Sequence, residues 1–279
     1  MTEERTLRPL SSYLKFGWRL HREDFPQLTA GVLVAYLPLS ILALFIQSPV
    51  ESILKSADQA LALLPRIFAS QMILRVLETF VLILVILRIE ARRTGDQNVW
   101  DISETFSRLR RVAAVDLAYF IGIQIVGSLV FWLALTLISI FIGVNLLSFS
   151  FAIAVAAFVT IGAAVRYYFA SLVSLLHGSS FLASFRQAES VSPGSERLII
   201  TIAIAYMTIR YMVWPSFYSV FGSGILGQAL VQAGVITISI PYYLAGYLLY
   251  LDLIPASRDQ VTLSQEAIDV VSDEISPDE

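Results

Sequence analysis

The chain has 279 residues, of which 57% are hydrophobic and only 15% charged, and its mean hydropathy is +0.73. Soluble domains carry roughly 45–50% apolar and about 25% charged residues, so the composition excludes a soluble globular protein and puts most of the chain in lipid. The formal charge of −3 joins two unlike parts: bases dominate up to Arg197, while seven acids and one base, Arg258, occupy residues 255–279. Cysteine is absent, which removes disulfides, thiolate metal sites and cysteine nucleophiles.

Residues 1–24 are polar and charged, with neither a short apolar core nor a small-residue cleavage site. The first apolar run is therefore expected to be a retained span and not a signal peptide. Runs of about 20 apolar residues predict six spans, at 28–47, 68–87, 117–144, 146–176, 198–221 and 226–253. The fourth would reach roughly 45 Å at about 1.5 Å per residue, beyond a hydrocarbon core of ~30 Å, and is expected to tilt, bend or project into the cytosol. Asn145 alone separates spans three and four, and Gly222-Ser223-Gly224 turns between five and six. The fold class is all-α, a polytopic membrane bundle over residues 1–256, followed by an acidic tail at 257–279 expected to be disordered.

Arginine and lysine test this topology, because short cytoplasmic loops retain bases. The N-terminal segment has Arg5, Arg8, Lys15, Arg19 and Arg22, and the first outer loop only Lys55 and Arg66. The next inner loop has Arg88, Arg92, Arg93, Arg108, Arg110 and Arg111; then come none near Asn145, Arg186 and Arg197, and none at the glycine turn. The alternation favours six spans with both termini cytoplasmic, in the manner of a bacterial inner-membrane protein. Trp18, Trp100 and Trp132 read as interface anchors.

The three inner segments share a helical pattern. Leu10, Tyr13, Leu14, Gly17 and Leu20 line one face of the first, with Lys15, Arg19 and Arg22 opposite. Ile102, Thr105, Phe106, Leu109 and Val112 do so in the second, after an Asp101/Glu104 pair resembling a capping box. Phe181, Ser184, Phe185, Ala188 and Val191 follow in the third. Such faces predict amphipathic helices lying in the inner interface, with cations near anionic headgroups. Each is followed by a membrane hairpin, which suggests a threefold repeat.

The basic N-terminus from Tyr13 to Phe25, the Arg166-Tyr167-Tyr168 run leading through Ser174-Leu175-Leu176 to Ser180-Phe181-Leu182-Ala183-Ser184-Phe185, and the final Leu248-Leu249-Tyr250-Leu251-Asp252 carry a resemblance. In these segments the chain resembles the membrane domain of glycerophosphodiester phosphodiesterases and the related YciC-like bacterial membrane proteins. The resemblance implies a membrane domain without the phosphodiesterase domain, whose clustered His, Glu and Asp ligands have no counterpart in this sequence.

Ionisable residues in lipid cost a few kcal/mol unless paired or wetted, and Arg75, Glu78, Asp116, Arg166 and Arg210 fall inside predicted spans. Gln71, Arg75 and Glu78 share one helical face, and Arg210 matches Glu78 in depth. Asp116 and Arg166, both on the inner halves of their spans, are expected to form a second pair. Tyr206, Ser239, Tyr243, Tyr247 and Tyr250 are candidate lining residues of a polar conduit or headgroup pocket. The alternative, which we prefer, is that the charges are structural pairs fixing helix order. Pro38, Pro215 and Pro241 interrupt three spans, and such breaks can line substrate sites.

Enzyme motifs are missing. His21 and His177 stand without an HExxH, an HxxxxD box or a serine elbow, and no phosphate-binding glycine motif follows a strand. No cofactor or metal and no nucleic-acid partner is expected. The expected function is non-catalytic: an integral membrane protein organising lipid or envelope partners, with anionic headgroups, a membrane protein or a second copy as partners. The alternatives are a transporter or channel for a small anion or lipid headgroup, and an intramembrane enzyme of lipid metabolism acting through an unrecognised nucleophile or acid.

Overall fold

The computed structural model describes residues 7–47, 57–94, 102–222 and 224–254. Lys55, Trp100, Asp101 and the acidic tail lie outside the described residues. Among the described residues 91% are helical and there are no strands. Eight helices follow in order: α1 (Leu10–Gln47), α2 (Ala57–Thr94), α3 (Ile102–Ile142), α4 (Leu146–Arg166), α5 (Ala170–His177), α6 (Phe181–Val191), α7 (Glu196–Phe221) and α8 (Ile225–Leu253).

Four helical segments are long and apolar enough to cross a membrane: 106–142, 146–177, 196–221 and 225–253. They are compatible with a membrane-embedded protein. The last of them is the axis of the fold. In its most apolar stretch 72% of residues are buried within the protein, against 6%, 17% and 11% in the other three. Helices α1, α2 and α7 pack around α8. One core joins Tyr13, Ile86, Val112, Phe169, Ile199 and Tyr250 at the end of the bundle where α1 begins, and a second joins Tyr36, Leu77, Val81, Ile236 and Ile240 farther along α8 from that end.

The α3–α4 hairpin is different. Between residues 121 and 161 only Ala134, Leu135, Ser148, Ala152 and Ala156 are buried, so the two helices pack on each other along a narrow seam. Trp132, Phe141, Leu146 and Phe158 are exposed, as suits helices dissolved in lipid. Asn145 closes the turn by a reciprocal cap: its side-chain oxygen accepts from the Ser148 amide at 2.9 Å, and the Ser148 hydroxyl accepts from the Asn145 amide at 2.9 Å. The α7–α8 turn relies on Gly222, whose φ of +80° lies in the region only glycine occupies without strain.

In the long fourth apolar run regular helical bonding gives way to tighter turn bonding over Tyr167–Phe169, between α4 and α5. The predicted inner amphipathic segments fare unequally. Only the third is a separate helix, α6, while the first two continue unbroken into α1 and α3. The apolar face of the first meets protein where lipid was expected. Tyr13 is buried against the C-terminal end of α8, where its hydroxyl donates to Asp252 at 2.9 Å, and Gly17 lies against the backbone of Pro241. Burial and Asp252 together raise the Tyr13 pKa. Arg8 pairs with the same carboxylate at 3.3 Å, so the first and last described helices end on the same side of the bundle.

His21, one helical turn beyond Gly17, is buried in edge-on contact with Trp18, and desolvation lowers its pKa below the ordinary 6.5. The folded state thus keeps imidazole neutral at a pH where the unfolded chain binds a proton. Stability from this site is complete above about pH 6.5 and is lost as pH falls below it. Melts in detergent from pH 7.5 to 5.5 should show this acid loss, and His21→Gln should flatten it; an identical acid limb in the variant would contradict the assignment.

Candidate functional site

The ends of α2, α3 and α7 on the side where α1 begins are at Thr94, Ile102 and Glu196. Glu78, Asp116 and Arg210 lie ~24, ~21 and ~21 Å along their helices from those ends at about 1.5 Å per residue. They therefore sit at similar depth, and the structure joins them through Arg75. The Arg75 guanidinium donates to Glu78 Oε2 at 3.0 Å and to Asp116 Oδ1 at 3.0 Å, and its Nε is 2.7 Å from Asp116 Oδ2. Arg210 donates to the other oxygen of Glu78 at 3.2 Å and to the Tyr206 hydroxyl. The result is an alternating chain, Asp116–Arg75–Glu78–Arg210, with two charges of each sign.

Neutral hydroxyls complete it. Thr79, one residue after Glu78, donates to Asp116 Oδ2 at 2.9 Å, and Ser171 donates to Oδ1 at 3.0 Å. The Tyr206 hydroxyl is 3.4 Å from that of Tyr243. Arg75 also lies over Phe120 at 5.8 Å, and Arg210 over Tyr206 at 5.9 Å, which is cation–π range. The carboxylates are the buried members, with side chains 8% and 6% exposed, whereas those of Arg75 and Arg210 are 27% and 30% exposed. Burying the acids is tolerable because the charges sum to zero and every carboxylate oxygen accepts at least one hydrogen bond.

The expected pairing of Glu78 with Arg210 is present, and that of Asp116 with Arg166 is not. α4 stops at Arg166, which is 59% exposed and pairs with Glu189 of α6. Across the break at Tyr167–Phe169 the chain continues along α3, so that Ala164 meets Tyr119 and Ser171 at the start of α5 meets Asp116. Of the candidate lining residues, Tyr206 and Tyr243 reach the charges. Ser239 bonds its own helix at Val235, and Tyr247 and Tyr250 lie in the core they share with Tyr13, one and two turns from Tyr243. Gln71 is exposed and outside the network.

Thr79 and Ser171 were missed by the sequence reading, and so was Tyr36, a buried residue of α1 within Coulombic range of Glu78, Arg210 and Tyr206. Thr79 carried a usable signal, since it directly follows Glu78 and lies four residues from Arg75, where its single hydroxyl proton is shared between Asp116 Oδ2 and the Arg75 carbonyl. Ser171 carried none before the α4–α5 break was known.

The exposed Arg166–Glu189 pair serves as a contrast. Glu189→Gln is expected to leave the melting temperature unmoved, because solvent and salt screen such a pair. A drop as large as that of a network variant would show that α6 is held by this contact.

A bundle-spanning chain of ion pairs can fix the order and register of helices. Metal binding has less to build on, since no cluster of three His, Asp or Glu side chains occurs among the described residues. No known family model matches the chain, and neither a curated protein nor a solved structure does.

Proposed function

We propose that the chain is a non-catalytic integral protein of a bacterial inner membrane that organises lipid or envelope partners, crossing six times with both termini in the cytoplasm. The observation that carries this reading is the state of the two buried acids. Glu78 and Asp116 are both held by guanidinium groups, and Asp116 also by two hydroxyls, which leaves neither free for acid–base work. His177 is exposed, and His21 packs on Trp18.

Six crossings are supported by α1 and α2, each 38 residues long and so about 57 Å at the helical rise, by the alternation of bases, and by the shared end of α1 and α8, which an even number requires. A threefold plan would pair each inner helical segment with one hairpin. The resemblance to the membrane domain of glycerophosphodiester phosphodiesterases fits this plan and supports a role near lipid headgroups.

Anionic headgroups are the partners the inner end favours. Lys15, Arg22, Arg110, Arg186 and Arg197 are exposed there and have no ion pair among the described residues, and each base near an anionic surface is worth about 1 kcal/mol. Protein extracted with its surrounding lipid should carry anionic phospholipid above the bulk fraction, and changing these five bases to glutamine should return it to bulk. Equal lipid profiles in the two would contradict the reading. A second reading, transport of a small anion or lipid headgroup, is favoured by the partial exposure of both network arginines. An Arg210→Lys variant that folds normally but loses flux in proteoliposomes would support transport over organisation.

A further inference from the structure

Several hydroxyls of the α3–α4 hairpin are satisfied on their own helices. Thr136 donates to the Trp132 carbonyl at 2.8 Å, Ser139 to the Thr136 carbonyl at 2.9 Å and Ser150 to the Leu146 carbonyl at 2.9 Å, as short polar side chains in helices do. Gln124 and Ser128 differ. Both are exposed on α3, and neither has a hydrogen bond among the described residues. Gln124 lies ~20 Å along the helix from Arg111 and ~27 Å from Ile142 at about 1.5 Å per residue, well inside the apolar segment 106–142. Gln71 joins them from α2. The contacts of Thr79 with Asp116 and of Arg75 with Phe120 set an antiparallel register, in which the next turn brings Gln71 level with Gln124. Gln71 is exposed too and has no hydrogen bond among the described residues.

Three neutral polar side chains, Gln71, Gln124 and Ser128, therefore stand exposed along one edge of the α2–α3 seam. Acyl chains offer them neither donor nor acceptor, and an amide left unmet in hydrocarbon is costly. The patch holds no charge of its own, and Arg75, one turn from Gln71, is taken up by Glu78 and Asp116. An ionic ligand has nothing to pair with here, whereas an amide both donates and accepts and so complements another amide. The partner must bring such groups at the same depth in the bilayer. A second copy inserted with the same topology does so by construction, and a twofold axis along the membrane normal sets patch against patch. We infer that the chain forms a homodimer across this edge, with Gln71, Gln124 and Ser128 of each copy hydrogen-bonded to those of the other, as polar side chains join helices in lipid. The organising role proposed above does not depend on this contact, since a single copy carries the exposed bases.

The full chain, reconstituted sparsely in phosphatidylcholine bilayers and counted by single-molecule photobleaching, is expected to be dimeric. The Gln71→Leu/Gln124→Leu pair, which leaves all four network charges intact, should weaken dimerisation about tenfold or more while still melting cooperatively in detergent. Cross-linking decides independently of how the leucine pair folds. The chain has no native cysteine, so Ser128→Cys should link to its own copy on oxidation in membranes, whereas Leu133→Cys, at an exposed position opposite Gln124 on α3, should not. A monomeric wild type overturns the inference, and so does a dimer that the leucine pair leaves unchanged. Linking through Ser128→Cys that is no greater than through Leu133→Cys, or that joins a different protein, overturns it as well.

Discussion

Glu78→Gln is expected to lower stability by about 3–5 kcal/mol, enough to remove most of the folded protein from the membrane. The substitution keeps shape and removes one charge, so that Arg75 and Arg210 face Asp116 alone in a low-dielectric interior. Glu78 is the only link between the two arginines in the chain of pairs, and its loss leaves Arg210 bonded to Tyr206. Asp116→Asn should act in the same direction, because Arg75 loses its second partner and Thr79 and Ser171 face an amide where they had donated to a carboxylate. Steady-state membrane levels and melts in detergent measure both. A Glu78→Gln protein that melts with the wild type would mean that the network contributes nothing to helix order.

Gly17→Ala should also be damaging, to a smaller extent and for a different reason. A Cβ at Gly17 would collide with the carbonyl oxygen of Pro241, and backbone at a helix seam cannot turn aside as a side chain can. Proline at 241 also fixes the local course of α8, since it lacks the amide that would bond the preceding turn. Opening this seam separates α1 from the central helix, at a cost of about 1–3 kcal/mol for overpacking. The control is direct: Gly122 and Gly162 have nothing within 4 Å of a built Cβ, so alanine there should be neutral or gain up to ~1 kcal/mol of helix propensity. Melts of the three variants decide it, and equal effects at all three positions would contradict the close approach of α1 to α8.

Helical periodicity made part of the site legible. Arg75 and Glu78 share a face by spacing alone, and counting residues from the inner ends matched Arg210 to Glu78 across the bundle. The same counting failed for Asp116 and Arg166, because a residue's direction depends on where its helix stops. Nothing in the Ala163-Ala164-Val165-Arg166-Tyr167-Tyr168 sequence marks a stop by proline or glycine, yet α4 ends there and sends Arg166 outward. Amphipathicity was equally two-sided. The face of Leu10, Tyr13, Leu14 and Gly17 is apolar whether it meets lipid or protein, and the pattern does not distinguish the two. The all-helical class and the hairpin at Asn145 were legible because they rest on long apolar runs and a single polar break.

A double-mutant cycle on Glu78 and Arg210, with each changed to glutamine singly and together, tests the central claim that an alternating chain of charges holds these helices. The account predicts a coupling energy of about 2 kcal/mol or more, with the doubly neutral protein more stable than the Glu78→Gln single variant. Effects that add to within ~0.5 kcal/mol would contradict it.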